Sequence, residues 1–260
     1  MNWNIKPFDP EILAATQDRS DNLIKPIGSL AFLERIACQA AGAQEKIIPE
    51  FVSKAIISIT KSKPSSALQI LAKRENAKLI VADPKTEIPT KLAEGLAREG
   101  IQAIGIALPE WQEEEAAINW QALKQNAEVL WGSSEERAAE LNFTVDFYQA
   151  AAAKRILIVL DGPASLLAAV LATRQNPTLL EYLISSRSDD NIEQQEMMTE
   201  LGLAHGLRVH MQGNTGLSSA FGLGLVDAAI RAIREMATFE EASVAYSLAD
   251  FSTREKKEEA

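Results

Sequence analysis

The sequence predicts an α/β fold built on a parallel sheet. Three observations point that way. From Lys54 onward, short β-branched runs alternate with helical stretches of about 10–15 residues, the pattern of βαβ units. The strongest run, Arg155-Ile156-Leu157-Ile158-Val159-Leu160, is almost continuously apolar, like strands covered on both faces. Apolar residues make up 47% of the 260 residues and charged residues 24%, enough for a sizeable core.

In chain order, residues 1–29 are polar and broken by Pro7, Pro10 and Pro26. A helix is expected over Leu30–Gln44, with Leu33, Ile36, Ala37, Ala40 and Ala41 on one face and Ser29 as its N-cap. Strands follow at Ala55–Thr60, Lys78–Ala82 and Gln102–Ala107, separated by helices at Ser65–Arg74 and Pro89–Glu99. Glu128–Trp131 is a candidate fourth strand, and Glu135–Lys154 a long helix before the Arg155–Leu160 strand. Pro163 suits the first turn of a helix running to Arg174. Helices are expected at Thr178–Ser185, Ile192–Leu201 and Ser218–Met236, the last apolar on nearly all sides and so buried. The charged tail Thr253–Ala260 reads as frayed.

The net charge of −10 argues against nucleic acid and anionic membranes, both of which call for a lysine and arginine surplus. A small anionic ligand needs only a local pocket and stays open. The one cysteine, Cys38, leaves no intrachain disulfide and no cysteine-based zinc site. With only His205 and His210 besides, no metal and no cofactor are expected. Neither a signal peptide nor a membrane span is predicted, and a cytoplasmic location is expected.

Two segments are placed to meet a ligand. Asp161-Gly162 ends the strongest strand, and ligands of open α/β sheets bind at that edge. Asp161 is either a ligand contact or the cap of the next helix. Gln212-Gly213-Asn214-Thr215-Gly216 precedes the apolar helix, and its N–H groups could cradle an anion or form an ordinary cap. There is no Walker A motif, no G-x-G-x-x-G after a strand and no nucleophile elbow. The Glu113-Glu114-Glu115 run reads as a solvated face.

Several segments together resemble one family. Asp21-Asn22-Leu23-Ile24-Lys25-Pro26-Ile27-Gly28-Ser29-Leu30, with Leu33-Glu34, is similar to the L-T-K-P-x-G-S-L-G-x-L-E opening of the nicotinate-nucleotide–dimethylbenzimidazole phosphoribosyltransferases. Leu68–Ala72 with Ala77–Asp83, Val159–Gly162, Glu181–Ser186 and Glu235–Ala242 resemble further family segments in the same order. The resemblance implies a Rossmann-like parallel-sheet domain over residues 51–217. It also implies a small helical subdomain from residues 1–50 and 218–260, and a homodimer. The family's reaction moves phosphoribose from nicotinate mononucleotide to dimethylbenzimidazole in cobalamin synthesis, with a glutamate taking the proton.

The departures from the family bear on chemistry. Its glutamate, in G-E-G-S-G-A, aligns with Thr215 in Asn214-Thr215-Gly216-Leu217-Ser218-Ser219, and a threonine hydroxyl is no base at neutral pH. Its S-H-R-S becomes Ser186-Arg187-Ser188-Asp189, placing a carboxylate toward the phosphate side. A G-D-H-G-V loop after Thr60, and glycine-rich loops between Ala107 and Glu140, have no counterpart. Sites live on loops, so losing loops while keeping strands retains the fold and removes chemistry.

The expectation is a non-catalytic family member that binds a nucleotide or aromatic base, or acts as a partner or regulatory subunit. The partner would be a second copy or a full-length homologue. The candidate ligand-binding residues are Lys25, Pro26, Gly28, Ser29, Asp161, Gly162, Ser186, Asn214, Thr215 and Gly216. The alternative is an active phosphoribosyltransferase drawing a carboxylate from Glu193, Glu196 or Glu200.

Overall fold

A computed structural model describes residues 3–125, 135–188, 191–203, 207–208 and 215–242. The candidate strand at Glu128–Trp131, the candidate residue Asn214, Asp189, both histidines and the tail lie outside the described residues.

Five strands form one parallel sheet: β1 (Ser53–Ile59), β2 (Ala77–Ala82), β3 (Ile101–Ala107), β4 (Leu157–Leu160) and β5 (Leu183–Ser185). Their order is β2-β1-β3-β4-β5. One row of the register runs Leu79, Ile56, Gly105, Val159, Ile184. All of β4, and β1 from Lys54 on, is buried. Arg187–Ser188 (β6) and Leu207–Arg208 (β7) make a second, two-stranded parallel pair.

The helices are α1 (Pro10–Asp21), α2 (Phe32–Gln44), α3 (Ser66–Arg74), α4 (Pro89–Arg98) and α5 (Glu113–Lys124), then α6 (Glu135–Ala153), α7 (Pro163–Gln175), α8 (Ile192–Glu200) and α9 (Leu217–Glu235). α4 packs with α6, and α6 with α7 and β4. α9 packs against α2, α3 and strands β1, β3 and β4. None of the described helices is long and apolar enough to cross a membrane.

Several expectations change. The polar N-terminal stretch contains α1, started by Asp9, whose carboxylate accepts from Glu11 N–H at 2.9 Å, with Pro10 in the first turn. Its buried residues are Thr16 and Ser20, so no apolar stripe announces it. Ser29 is not the cap of α2; Ala31, at φ 41°, precedes Phe32, and the Ser29 N–H turns back to Pro26 O. Arg155, at φ 60°, closes the end of α6 and delays β4 to Leu157. The expected helix at 178–185 is a 3-10 turn over Pro177–Tyr182 followed by β5, because Leu183–Ser185 finds a partner in Ile158–Leu160. A short apolar run does not reveal on its own whether it is helix or strand. The acidic run at Glu113 opens α5, where Gln112 and Glu115 form a capping box. Helix α9 is buried toward the sheet and α2 but not on all sides; Phe221 and Leu225 are half-buried, with the Arg74 guanidinium 5.2 Å from the Phe221 ring centre.

Candidate functional site

Asp161 leaves β4 at its carboxyl end and is 3% exposed. Its side chain is turned inward, toward the start of α9. One oxygen accepts the Gly216 N–H at 2.6 Å, and the other accepts the Ser218 hydroxyl. Ser186, just past β5 and equally buried, donates to the Ser218 hydroxyl oxygen at 3.0 Å. The first turn of α9 is an anion-binding helix N-terminus whose anion is Asp161 itself.

The local chain is built for this closure. Gly216 sits at φ 83°, which favours glycine, and a Cβ there would lie 2.5 Å from the Ala107 Cβ. A Cβ at Gly222 would lie 2.4 Å from Val159 Cγ1, so the helix backbone rests directly on β4. Beneath Asp161, its own N–H donates to Ser165 Oγ at 3.2 Å, and that oxygen lies 2.8 Å from the Tyr148 hydroxyl. Complete burial pushes the Tyr148 phenol well above its ordinary range, so it stays protonated.

The structure brings together Asp161, Gly162, Ser186 and Gly216, with half-exposed Thr215 next to them. Gly162 is the cap residue of α7. The remaining candidates form a separate loop. Pro26, Gly28 and Ser29 are exposed, and Gly28 turns the chain at φ 72°. Lys25 is held by Glu34 at 2.9 Å, with both side chains under a tenth exposed. Burial works to raise the Glu34 carboxyl. The Lys25 ammonium and the Leu30 N–H outweigh that and leave it below its ordinary value.

The carboxylates considered on α8 point elsewhere. Glu196 accepts from Trp120 Nε1 at 2.7 Å and pairs with Lys124, which together hold it below its ordinary range. Glu200 accepts two hydrogen bonds from Arg174 at 2.9 and 2.7 Å, and Glu193 accepts from Gln121 at 3.4 Å.

A second place at the carboxyl edge escaped the sequence reading. A cavity of about 90 Å³ lies past β1, β2 and β3, lined in part by Thr60, Lys61, Asp83, Lys85, Glu110 and Glu140. Glu140 is 6% exposed, and burial raises its carboxyl despite Arg137 at 3.0 Å. Lys61 and Lys85 meet on one oxygen of Glu136, at 3.0 and 2.9 Å, and hold that carboxyl down at about 2. The missed signal was Lys61-Ser62-Lys63-Pro64 standing where the family carries a loop. Among the described residues, no group of three or more histidine, cysteine or acidic side chains could hold a metal ion.

Comparison with known proteins agrees with this architecture. A phosphoribosyltransferase family, DBI_PRT, matches residues 5–61 and 110–244, leaving the stretch from α3 to β3 unmatched. The nicotinate-nucleotide–dimethylbenzimidazole phosphoribosyltransferase of Citrifermentans bemidjiense is 36% identical over 97 residues, 37% of this chain and 28% of that enzyme's length. The enzyme of the same name from Geobacter sulfurreducens is 21% identical over 338 residues, covering 93% of this chain and 96% of the relative. That span exceeds the present 260 residues, so the alignment opens gaps within this chain. The crystal structure of the Thermus thermophilus enzyme of that name shares the fold, with a TM-score of 0.73 and 19% identity over 92% of this chain and all of that one. The chain belongs to the DBI phosphoribosyltransferase family.

Proposed function

We propose that this chain is a family member that does not catalyse the usual phosphoribosyl transfer and serves as a ligand-binding or partner subunit. One observation carries the reading. Thr215, whose hydroxyl is no base at neutral pH, stands where the family glutamate aligns, beside a helix N-terminus whose Gly216 N–H and Ser218 hydroxyl are taken up by Asp161. The α8 carboxylates, each engaged by a neighbour on α5 or α7, supply no replacement. A nucleotide or an aromatic base remains the ligand class, and a second copy or a longer homologue the partner. The helical subdomain from the two chain ends is part of the same proposal; the packing of α2 on α1 and α9 supports it.

The test is incubation with nicotinate mononucleotide and dimethylbenzimidazole at enzyme-level concentrations. No α-ribazole phosphate is expected, and turnover at an ordinary family rate overturns the reading. A second reading, retained transferase activity, draws on Glu140, a buried carboxyl with raised proton affinity beside a cavity at the carboxyl edge. It requires turnover that Glu140→Gln abolishes without unfolding the chain.

A further inference from the structure

The outer edge of β2 is unpaired among the described residues. Ala82 gives its carbonyl to the Thr60 N–H on the β1 side. Alternate residues of a strand direct their peptide groups to opposite edges, so Leu79 and Val81 direct theirs outward. Val81 is 42% exposed. A groove of about 840 Å³ runs along this edge and round the amino ends of β1 and β3.

Its charge is opposite to that of the molecule. The chain carries −10, yet Lys54, Lys63, Lys73 and Lys78 line the groove against Glu99 alone. Lys54 is neutralised by Asp227 and Lys78 by Glu99 at 2.7 Å. Lys63 and Lys73 are exposed and enter no ion pair among the described residues. They project from the two ends of the β1–α3 connection and helix, so they flank the edge along its length. A single lysine is a common guard against edge pairing. Two uncommitted lysines beside outward-facing peptide groups and an exposed valine also match, in charge and in hydrogen-bonding groups, an added strand of opposite charge.

We propose that β2 docks an extended acidic segment of a partner protein, which adds as a sixth strand and pairs its carboxylates with Lys63 and Lys73. A second copy of this chain is the poorer occupant, because it would bring the same lysines to its own edge. The part of the groove's lining that runs from Lys63 to β3 lies outside the residues that the family matches.

The probe is a fluorescent, end-blocked peptide of alternating glutamate and valine, read by anisotropy with the full chain. Saturable binding is expected, at least about tenfold tighter than for a lysine–valine peptide, and weakened by salt. The Lys63→Glu, Lys73→Glu double variant should reverse that order. N-methylation of alternate peptide nitrogens should abolish binding, since it removes the strand's donors. Equal binding of the two peptides, binding that survives N-methylation, or no binding to the wild-type chain overturns the proposal. So does a dimer in sedimentation that the double variant dissolves. None of these outcomes depends on phosphoribosyl transfer, so the proposal stands or falls apart from the reading of function above.

Discussion

Asp161 and Glu140 are both buried carboxylates at the carboxyl end of one parallel sheet, 3% and 6% exposed, yet they are held in opposite ways. Asp161 is gripped by neutral donors, a backbone N–H and a hydroxyl, from the helix that closes over it. Glu140 faces Arg137 and, with Glu110 and Glu136 nearby, is raised by burial and by its own kind. The first arrangement completes the hydrogen bonding of a fold joint. The second leaves a titratable group beside open volume. Position at the ligand edge therefore does not by itself assign a role; the partners of the side chain do.

The largest expected effect breaks the closed half. Gly216→Val adds a left-handed backbone penalty and a clash with Ala107, together about 3 kcal/mol. The urea midpoint should fall accordingly. Next, Asp161→Ala leaves Gly216 N–H and Ser218 short of an acceptor and should cost about 2–3 kcal/mol. A residue kept for chemistry commonly costs stability, so a neutral or stabilising Asp161→Ala would return Asp161 to the role of ligand contact. Tyr148→Phe removes the hydroxyl shared with Ser165 and should cost about 1 kcal/mol in the same titration.

The smallest effect sharpens the other half. The folded chain holds the Glu140 proton more tightly than the unfolded chain does. Its contribution to stability is therefore complete below the ordinary glutamate range and is lost as pH rises through the folded value. Glu140→Gln does not titrate, so its stability relative to the parent should increase from about pH 4 to about pH 7. A flat or falling difference would show that Arg137 compensates the charge fully.

Much of the sheet was legible because β1, β3 and β4 are buried on both faces and spell themselves as apolar runs. Helix α1 was not legible, since it buries Thr16 and Ser20 and shows no stripe. β5 was hidden for the opposite reason: Leu183–Ser185 is apolar but three residues long, and its partner is 25 residues upstream. At the site, the sequence marked Asp161 and Gly216 separately. It could not say that one would become the anion of the other, because that bond joins residues 55 apart. The Glu140 cavity was invisible for the same reason, being assembled from three strand ends and the start of α6.

The Lys25–Glu34 pair bears on how such chains are recognised. Both residues belong to the opening signature that resembles the family, and here they stitch a solvent-facing turn to the start of α2. A lysine and a glutamate nine positions apart in such a signature thus also serve as joinery of the fold. A string matched on these two residues therefore registers a contact of the scaffold, whatever chemistry the chain performs.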